Sequence, residues 1–169
     1  TKLLRDLTDY SMSDQLTKQR SDLCNLLRRA YLSCLPLTEG TNKTLTYTSR
    51  VSCAYMPLDS PKMMEALLNL IVNALDAVSD NGSVQIILTK SNEQFVVSIT
   101  DDGCGIAPKQ LLTIFHPFTT TKPDGTGLGL PVAKRIIEGH GGHIRVSSAP
   151  NQGATFTFLL PCSFSSDKK

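Results

Sequence analysis

Residues 63–78 read MMEALLNLIVNALDAV, and this stretch decides what kind of domain the chain can form. Its apolar residues recur at helical spacing, which predicts a long helix that has Pro61 in its first turn and ends near Ser79. At 100° per residue, the polar residues fall within about 80° of one another around the helix axis. These polar residues are Glu65, Asn69, Asn73 and Asp76. Because a helix that is apolar on its other sides must be buried, this polar stripe has to be hydrogen-bonded or to line a water-filled cavity.

The two asparagines of the stripe favour the cavity. A solvent-facing stripe usually carries Lys and Glu, whereas Asn is a poor helix former. Asn69 and Asn73 are four residues apart, so their amide oxygens point the same way. Such oxygens suit Mg²⁺, a hard ion that needs few protein ligands when phosphates supply the others. The alternative interpretation is an ordinary amphipathic helix with a narrow solvent face.

A glycine-containing segment at the end of a strand predicted over residues 94–101 has the composition of a ligand-binding turn. It reads DDGCGI at residues 101–106. A carboxylate at a strand end can accept a hydrogen bond from a flat ligand, and the two glycines let the backbone approach that ligand. By itself, however, Asp-Gly is more typical of a simple turn.

A second glycine-rich segment, GTGLGLP at residues 125–131, opens a predicted helix. Its backbone N–H groups and the helix N-terminus suit a phosphate, and Thr126 is placed to cap the helix. The segment is not a P-loop, because no Gly-Lys-Ser/Thr follows, and its spacing is not the dinucleotide-binding fingerprint. The alternative is a glycine-rich helix entry that binds nothing.

The remaining periodicity predicts an α+β domain. A helix is expected over residues 16–37, with Pro36 at its end, followed by a half-buried strand over residues 45–51. Further expected elements are strands over 83–90 and 94–101, a helix over 127–138, and strands over 143–148 and 154–160. Helices mixed with tight hairpins favour a two-layer α/β sandwich, in which a mixed, mainly antiparallel sheet is covered on one face by helices.

The composition argues against strongly electrostatic partners. The 169 residues carry 17 Lys and Arg against 15 Asp and Glu, a net charge of +2 with no long basic run. We therefore expect no nucleic-acid partner. The most apolar window, residues 66–78, is too short for the roughly 20 apolar residues of a membrane span. We expect no membrane contact by this chain.

The cysteines point to a reducing compartment. They are Cys24, Cys34, Cys53, Cys104 and Cys162. Their number is odd and no CxxC pair occurs, which disfavours a disulfide scaffold or a zinc site. We expect plain thiols in a cytoplasmic domain.

The order of the motifs carries more information than any one of them. An Asn-bearing helix, a strand that ends in DxGxG, a Thr/Lys segment and GTGLGL at a helix start follow one another. This order resembles the N, G1, F and G2 boxes of the ATP-binding catalytic domain of bacterial sensor histidine kinases. That domain has the Bergerat ATP-binding fold, which is shared with DNA gyrase and the ninety-kilodalton heat-shock chaperone. The resemblance covers residues 18–161, and FTTTK at 118–122 and IIEGHGG at 136–142 look most like kinases of the nitrogen-regulation type.

The resemblance implies ATP and Mg²⁺ as cofactors and gives roles to matching residues. Asn73 matches the Mg²⁺ ligand, with Asn69 assisting, and Asp101 matches the residue that receives the adenine amine. Lys122 is implied at the terminal phosphates, so that Asn69, Asn73 and Lys122 form the expected catalytic set. Phe115 and Phe118 match the aromatic residues that hinge the lid. The remaining expected ATP-binding residues are Asp76, Gly103, Gly105, Ile106, Phe118, Thr121, Gly125, Thr126, Gly127, Leu128, Gly129 and Leu130.

Three positions depart from the pattern of the family. Asp76 stands where many relatives have a phosphate-binding Lys, so Lys122 is expected to carry more of the charge neutralisation. Asp102 replaces a common Asn, and Ala154 stands where a Thr near the adenine often occurs.

The resemblance implies transfer of the γ-phosphoryl group to a histidine on a dimerisation domain, in two-component signalling with a response regulator receiver domain. Hydrolases of the superfamily have a Glu four residues before the Mg²⁺-binding Asn; here that residue is Asn69, which cannot act as a general base. None of His116, His140 and His143 has the setting of a phosphoacceptor, and each is expected to be structural. The alternatives are an ATPase clamp, an anti-sigma serine kinase, or a nucleotide-sensing module without transfer.

The expected domain boundaries follow from this assignment. Residues 1–17 are expected to be the end of a dimerisation helix and its linker, because Leu3, Leu4, Leu7 and Tyr10 have helical spacing. Residues 18–162 are expected to form the catalytic domain, and residues 163–169 a disordered tail. The acceptor histidine would then lie outside this chain.

Overall fold

A computed structural model describes residues 15–122 and 125–162 of the chain. The helical pattern predicted between Leu3 and Tyr10 and the tail predicted over residues 163–169 lie outside these ranges. In chain order the described elements are β1 (Gln19–Asp22), α1 (Leu23–Cys34), a 3₁₀ turn (Leu35–Thr38), β2 (Thr44–Ser49), β3 (Tyr55–Leu58), α2 (Ser60–Ala77), β4 (Ser83–Ser91), β5 (Gln94–Asp101), α3 (Pro108–Leu111), α4 (Gly129–Gly139), β6 (His143–Ser148) and β7 (Ala154–Pro161).

The main sheet has five strands in the order β2-β4-β5-β7-β6. Strand β2 runs parallel to β4, and every other neighbouring pair is antiparallel. Strands β1 and β3 form a separate antiparallel ribbon. The predicted α+β fold with a mixed, mainly antiparallel sheet is confirmed.

The core lies between one face of this sheet and the helices. Side chains alternate along β7, so that Phe156, Phe158 and Leu160 are buried while the intervening residues are partly exposed. The other face carries cross-strand hydroxyl pairs, such as Thr100 Oγ1 and Thr155 Oγ1 at 3.1 Å. The alternation of the sequence therefore decides which face the helices cover.

Helix α2 packs its apolar side into this core. Its buried residues are Met63, Ala66, Leu67, Leu70, Ile71, Ala74 and Leu75. The carboxylate of Asp59 caps the helix by accepting a hydrogen bond from Lys62 N at 3.1 Å, and Pro61 lies in the first turn as predicted. The helix ends at Ala77 because the backbone of Val78 is extended. In the part of the chain that the structure describes, no helix is both long and apolar enough to span a membrane.

The first third of the domain differs from the prediction. The single helix expected over residues 16–37 is wrong at its start, because Gln19–Asp22 is a strand. Helix α1 begins only at Leu23, where Asp22 caps it by accepting a hydrogen bond from Cys24 N at 3.0 Å. Strand β3, Tyr55–Leu58, was not predicted at all. Each of these short strands depends on pairing with the other, which local periodicity does not report.

The end of α4 is tied to the start of α2 by His140. This residue is buried, its Nδ1–H donates to Ile136 O at 2.7 Å, and its Nε2 accepts from Asp59 N at 2.9 Å. The ring is therefore a neutral tautomer with a structural role, as expected. Burial lowers the pKa of His140, Lys18 lowers it further, and the bond to Ile136 and the charge of Asp59 oppose the shift.

We expect the free energy of unfolding to fall as the pH drops below about 6.5, the ordinary pKa of His. The unfolded chain takes up a proton on His140 near that pH, whereas the folded ring stays neutral to a lower pH. Urea unfolding of the wild type and of His140→Gln at several pH values between 8 and 5 would test this. The variant should be less stable at pH 8 but lose less stability on acidification. An equal loss in both proteins would show that other groups cause the pH dependence.

Candidate functional site

A cavity of about 810 Å³ opens between α2, the end of β5 and the glycine-rich start of α4. It brings together three motifs that lie within residues 63–131, about two fifths of the chain. The residues predicted for ligand binding that line it are Asn69, Asn73, Asp76, Asp101, Gly105, Ile106, Thr121, Lys122, Gly125, Thr126, Gly127, Leu128, Gly129 and Leu130. Gly103 and Phe118 are the two predicted residues that do not line it.

The polar stripe of α2 faces this cavity, as predicted. The ammonium group of Lys122 donates hydrogen bonds to Asp76 Oδ2 at 2.8 Å and to Asn73 Oδ1 at 3.2 Å. Two side-chain oxygens from consecutive turns of α2 therefore converge on one cation. Both Asp76 and Lys122 are about half exposed, so the ion pair is worth at most about 1 kcal/mol and can be exchanged easily.

The oxygens that hold the Lys122 ammonium also fit Mg²⁺. An amide oxygen and a carboxylate oxygen on one helix face are hard ligands of the kind this ion takes. Among the described residues there is no cluster of three or more His, Cys, Asp and Glu that could hold a metal ion by itself. A magnesium ion here would need further oxygens from a ligand, as in sites where phosphates complete the coordination.

Asp101 is the buried carboxylate at the floor of the cavity. It is only 4% exposed, and its Oδ1 accepts hydrogen bonds from Gly103 N at 2.9 Å and Ala154 N at 3.2 Å. Its Oδ2 accepts no hydrogen bond from the part of the chain that the structure describes. Burial raises the pKa of Asp101, and the two backbone donors oppose the rise. A buried, oriented carboxylate with one oxygen unengaged is suited to accept a hydrogen bond from a ligand.

Gly103 shapes this corner without lining the cavity. A Cβ at this position would lie 2.3 Å from Ala77 O, at the end of α2. Gly105 has a positive φ of 68°, and a Cβ there would lie 1.9 Å from Ala149 O. The two glycines of the DxGxG motif thus allow the strand end to pack against α2 on one side and the β6–β7 turn on the other. Gly103 thus has a packing role at the edge of the cavity, and its expected contact with the ligand stays a prediction.

The two phenylalanines of the segment between α3 and α4 differ in their environment. Phe115 is partly buried and packs edge-on against Phe156, with ring centroids 6.4 Å apart. Phe118 is 60% exposed, has a φ of 64°, and contributes its backbone N–H to Gly127 O at 3.0 Å. Phe118 is expected to bind the ligand, but its exposed side chain does not line the cavity. Phe115 packs the segment between α3 and α4 against the core.

The start of α4 also differs from the prediction. Helix α4 begins at Gly129, its cap is Leu128, and no side chain caps it, so the prediction of a Thr126 cap is wrong. The N–H groups of the first turn are consequently left without a side-chain acceptor, which is the arrangement that binds anions. A Cβ added to Gly129 would lie 3.5 Å from Asn69 Oδ1, so this turn lies directly against the polar stripe of α2.

The two other departures from the family pattern lie in different places. Asp102 is exposed and accepts hydrogen bonds from Ser83 N at 2.8 Å and Ser83 Oγ at 2.7 Å, which lower its pKa. It joins β5 to β4 and does not line the cavity. Ala154 lines the cavity, and its backbone N–H holds Asp101.

Part of the cavity wall is not among the predicted ligand-binding residues, although Glu65 and Ala154 are noted from the sequence for other reasons. The additional lining residues are Glu65, Leu68, Val72, Ala77, Cys104, Gln110, Ile114, Thr119, Thr120, Pro131, Val132, Ala154 and Phe156. Glu65 belongs to the polar stripe that is predicted to line a cavity, and Cys104 could have been found from its place within DxGxG. The apolar residues give no such signal, because core and cavity positions have the same hydrophobic pattern.

Comparison with known proteins shows the family to which the chain belongs. The profile of a family described as histidine kinase-, DNA gyrase B-, and HSP90-like ATPase matches residues 58–163. The sensor histidine kinase ZraS of Salmonella typhimurium is 36% identical over 161 residues, which are 95% of this chain and 35% of ZraS. The chain therefore spans about a third of the length of this relative.

Solved structures of histidine kinases have the same fold. The catalytic domain of the kinase ThkA superposes with a TM-score of 0.79 at 29% identity, covering 86% of this chain and 96% of that domain. ThkA has also been solved in complex with the response regulator protein TrrA. Full-length ShkA in complex with AMPPNP gives a TM-score of 0.85 at 25% identity, covering 95% of this chain and 35% of ShkA.

The fold and the cavity thus define an ATP-binding domain of the kind found in sensor kinases. The chain belongs to the histidine kinase-, DNA gyrase B-, and HSP90-like ATPase family. Within this family it resembles the catalytic domains of bacterial sensor histidine kinases.

We expect Gly103→Ala to lower the free energy of unfolding by about 1–3 kcal/mol, because the new Cβ would overlap the Ala77 carbonyl. Gly129→Ala is the matched control. Its Cβ would make only an ordinary contact, so its stability should stay within about 0.5 kcal/mol of the wild type. Chemical denaturation of the three proteins measures both values. Equal stability of Gly103→Ala and Gly129→Ala would contradict the close packing of the strand end on α2.

Proposed function

We propose that this domain binds Mg-ATP and transfers the γ-phosphoryl group to a histidine on the dimerisation domain of the same sensor kinase. One observation carries the proposal. The unengaged Oδ2 of Asp101, the oxygens of Asn73 and Asp76, and the uncapped first turn of α4 border one cavity. A base, a metal and a chain of phosphates require these three kinds of group together.

The end of β5 forms the half of the site that would bind the nucleobase. Asp101 Oδ2 is the acceptor for an exocyclic amine, and its rigid hold by Gly103 N and Ala154 N orients that acceptor before the ligand arrives. Ile106 and Phe156 supply apolar walls for a flat ring. Adenine presents an exocyclic amine to this oxygen, whereas guanine presents a carbonyl oxygen at the same ring position. The acceptor therefore selects adenine over guanine.

The phosphate half offers one lysine, backbone amides and the side-chain oxygens that would hold the metal. Mg²⁺ held by Asn73 would neutralise charge on the phosphates and orient them. The carboxylate of Asp76 now binds Lys122 at 2.8 Å, so phosphates and Asp76 compete for the same ammonium group. The N–H groups at the start of α4 provide the remaining donors for the phosphate oxygens.

The side chains of α2 favour transfer over hydrolysis. Asn69 cannot accept a proton from water at neutral pH. Glu65 lies one turn earlier at the edge of the cavity, but its Oε2 is bound to Lys62 Nζ at 3.1 Å. Phosphoryl transfer depends mainly on positioning and charge neutralisation, so an acceptor imidazole on another domain can supply the nucleophile.

The partners of this reaction follow from the relatives. ThkA, a kinase of the same fold, forms a complex with a response regulator. We therefore infer a response regulator receiver domain as the second partner, which takes the phosphoryl group from the histidine. The assignment to the nitrogen-regulation type stays a prediction from the FTTTK and IIEGHGG segments.

We expect Asp101→Asn to weaken ATP binding by about 10-fold or more, because it replaces a charged acceptor by an amide. The Asn side chain can still accept hydrogen bonds from Gly103 N and Ala154 N, so the fold should be retained. Isothermal titration with ATP, ADP and GTP would measure the loss and any change in base preference.

The control for this variant is Asp102→Asn, which alters an adjacent carboxylate that bonds Ser83 outside the cavity. Its ATP affinity should stay within about threefold of the wild type. Equal losses in the two variants would contradict the assignment of Asp101 to the base.

We expect no stable phosphohistidine on this chain when it is incubated alone with Mg²⁺ and γ-labelled ATP. Addition of the dimerisation domain of the same kinase should give a labelled histidine on that domain, and Asn73→Ala should abolish the label. Phosphohistidine on the chain itself would contradict the assignment of the acceptor. Steady hydrolysis would instead support an ATPase, and ATP binding without transfer would support a nucleotide-sensing module.

A further inference from the structure

A pair of cysteines lies away from the cavity, where the β1–β3 ribbon meets the first turn of α1. In the ribbon Asp22 is paired with Tyr55. The antiparallel register continues one step beyond the strands, because Leu23 N donates to Ala54 O at 3.0 Å. The next residue along each segment is a cysteine, Cys24 in the first turn of α1 and Cys53 immediately before Ala54.

The backbones of these two cysteines are held near each other by one carboxylate oxygen. Oδ1 of Asp22 accepts a hydrogen bond from Cys24 N at 3.0 Å and another from Ala54 N at 2.9 Å. The distance between the two nitrogens therefore cannot exceed the sum of the two hydrogen-bond lengths. Since Ala54 N is bonded directly to the carbonyl carbon of Cys53, the two hydrogen bonds limit the separation of the cysteine Cα atoms to less than about 10 Å, and the roughly 4.4–6.8 Å of a disulfide lies inside that limit.

The side chain of Cys24 points toward the connection that carries Cys53. Its Sγ lies 3.8 Å from Val51 O and 3.7 Å from Ser49 Oγ. Burial raises the pKa of the Cys24 thiol, and the charges of Asp22 and Cys53 add to the rise. Cys53 is exposed, whereas Cys24 is partly buried. The pair thus has one accessible sulfur and one protected sulfur.

We propose that Cys24 and Cys53 form a reversible intramolecular disulfide by exchange with a low-molecular-weight disulfide. The Cys53 thiolate attacks one sulfur of the small disulfide, forms a mixed disulfide and releases one small thiol. The Cys24 thiolate then attacks the Cys53 sulfur and releases the second small thiol. The two protein thiols lose two electrons and two protons in total, which reduce the small disulfide to two thiols.

This bond would fasten the start of α1 to the β2–β3 connection. The closed loop contains α1 and β2, and α1 packs on the core beside α2. A covalent link across the end of the ribbon restricts the unfolded chain and prevents the ribbon from separating. The modification is independent of nucleotide binding, so its test does not depend on the proposed function.

The test uses the wild-type chain, incubated with oxidised glutathione and then quenched with N-ethylmaleimide. Trypsin places Cys24 in peptide 21–28 and Cys53 in peptide 51–62, and neither peptide contains another cysteine. We expect these two peptides to be joined, with a mass lower than their sum by two hydrogen atoms, in at least tenfold excess over any other joined pair. Dithiothreitol should separate them.

Cys104 provides a control within the same molecule, because it is exposed and lies at the cavity. It should stop at the glutathione adduct, in peptide 91–109. In Cys24→Ser, Cys53 should stop there as well, and in Cys53→Ser, Cys24 should remain unmodified. Because Cys24 must ionise to close the bond, closure in the wild type should accelerate between pH 7 and pH 9. A wild-type protein in which Cys53 accumulates as the adduct while Cys24 stays free would overturn the proposal.

Discussion

The burial of helix α2 against the sheet is the constraint on which the rest of the structure depends. Residues such as Leu67, Leu70 and Ile71 are fully buried, which fixes the rotation of the helix about its axis. That rotation leaves Asn69, Asn73 and Asp76 facing the cavity. The polar stripe does not have to be stabilised by its own contacts, because burial of the apolar side of α2 holds it in place.

Close backbone contacts around Asp101 determine how the second half of the site is joined to the first. Gly103 allows the strand end to approach the last turn of α2, and Cys104 N donates to Ala77 O at 3.2 Å. On the opposite side, a Cβ at Gly153 would lie 1.9 Å from Asp101 O. Side chains at these positions would separate β5, β7 and α2, and the carboxylate would lose the two amides that orient it. The glycines therefore allow the backbone packing that orients the carboxylate, and they affect ligand binding indirectly.

Charge in this domain acts locally. A net charge of +2 excludes a broad basic surface, but it does not argue against a phosphate ligand, because a triphosphate can be held by one metal, one lysine and backbone amides. The structure adds that Lys122 already has partners on α2, in Asp76 and Asn73. A phosphate ligand would therefore have to compete with Asp76 for the Lys122 ammonium group.

The sequence by itself determined the long strands, α2 and the main motifs, because their periodicity and glycine spacing are local properties. Strands β4 to β7 agree with the prediction to within one residue at each end, and fourteen of the sixteen predicted ligand-binding residues line one cavity. Tertiary structure alone decided the β1–β3 ribbon, the packing role of Gly103 and the approach of the Cys24 main chain to the segment that carries Cys53. Each of these depends on contacts between segments far apart in the chain, and such contacts leave no periodic signal in the sequence.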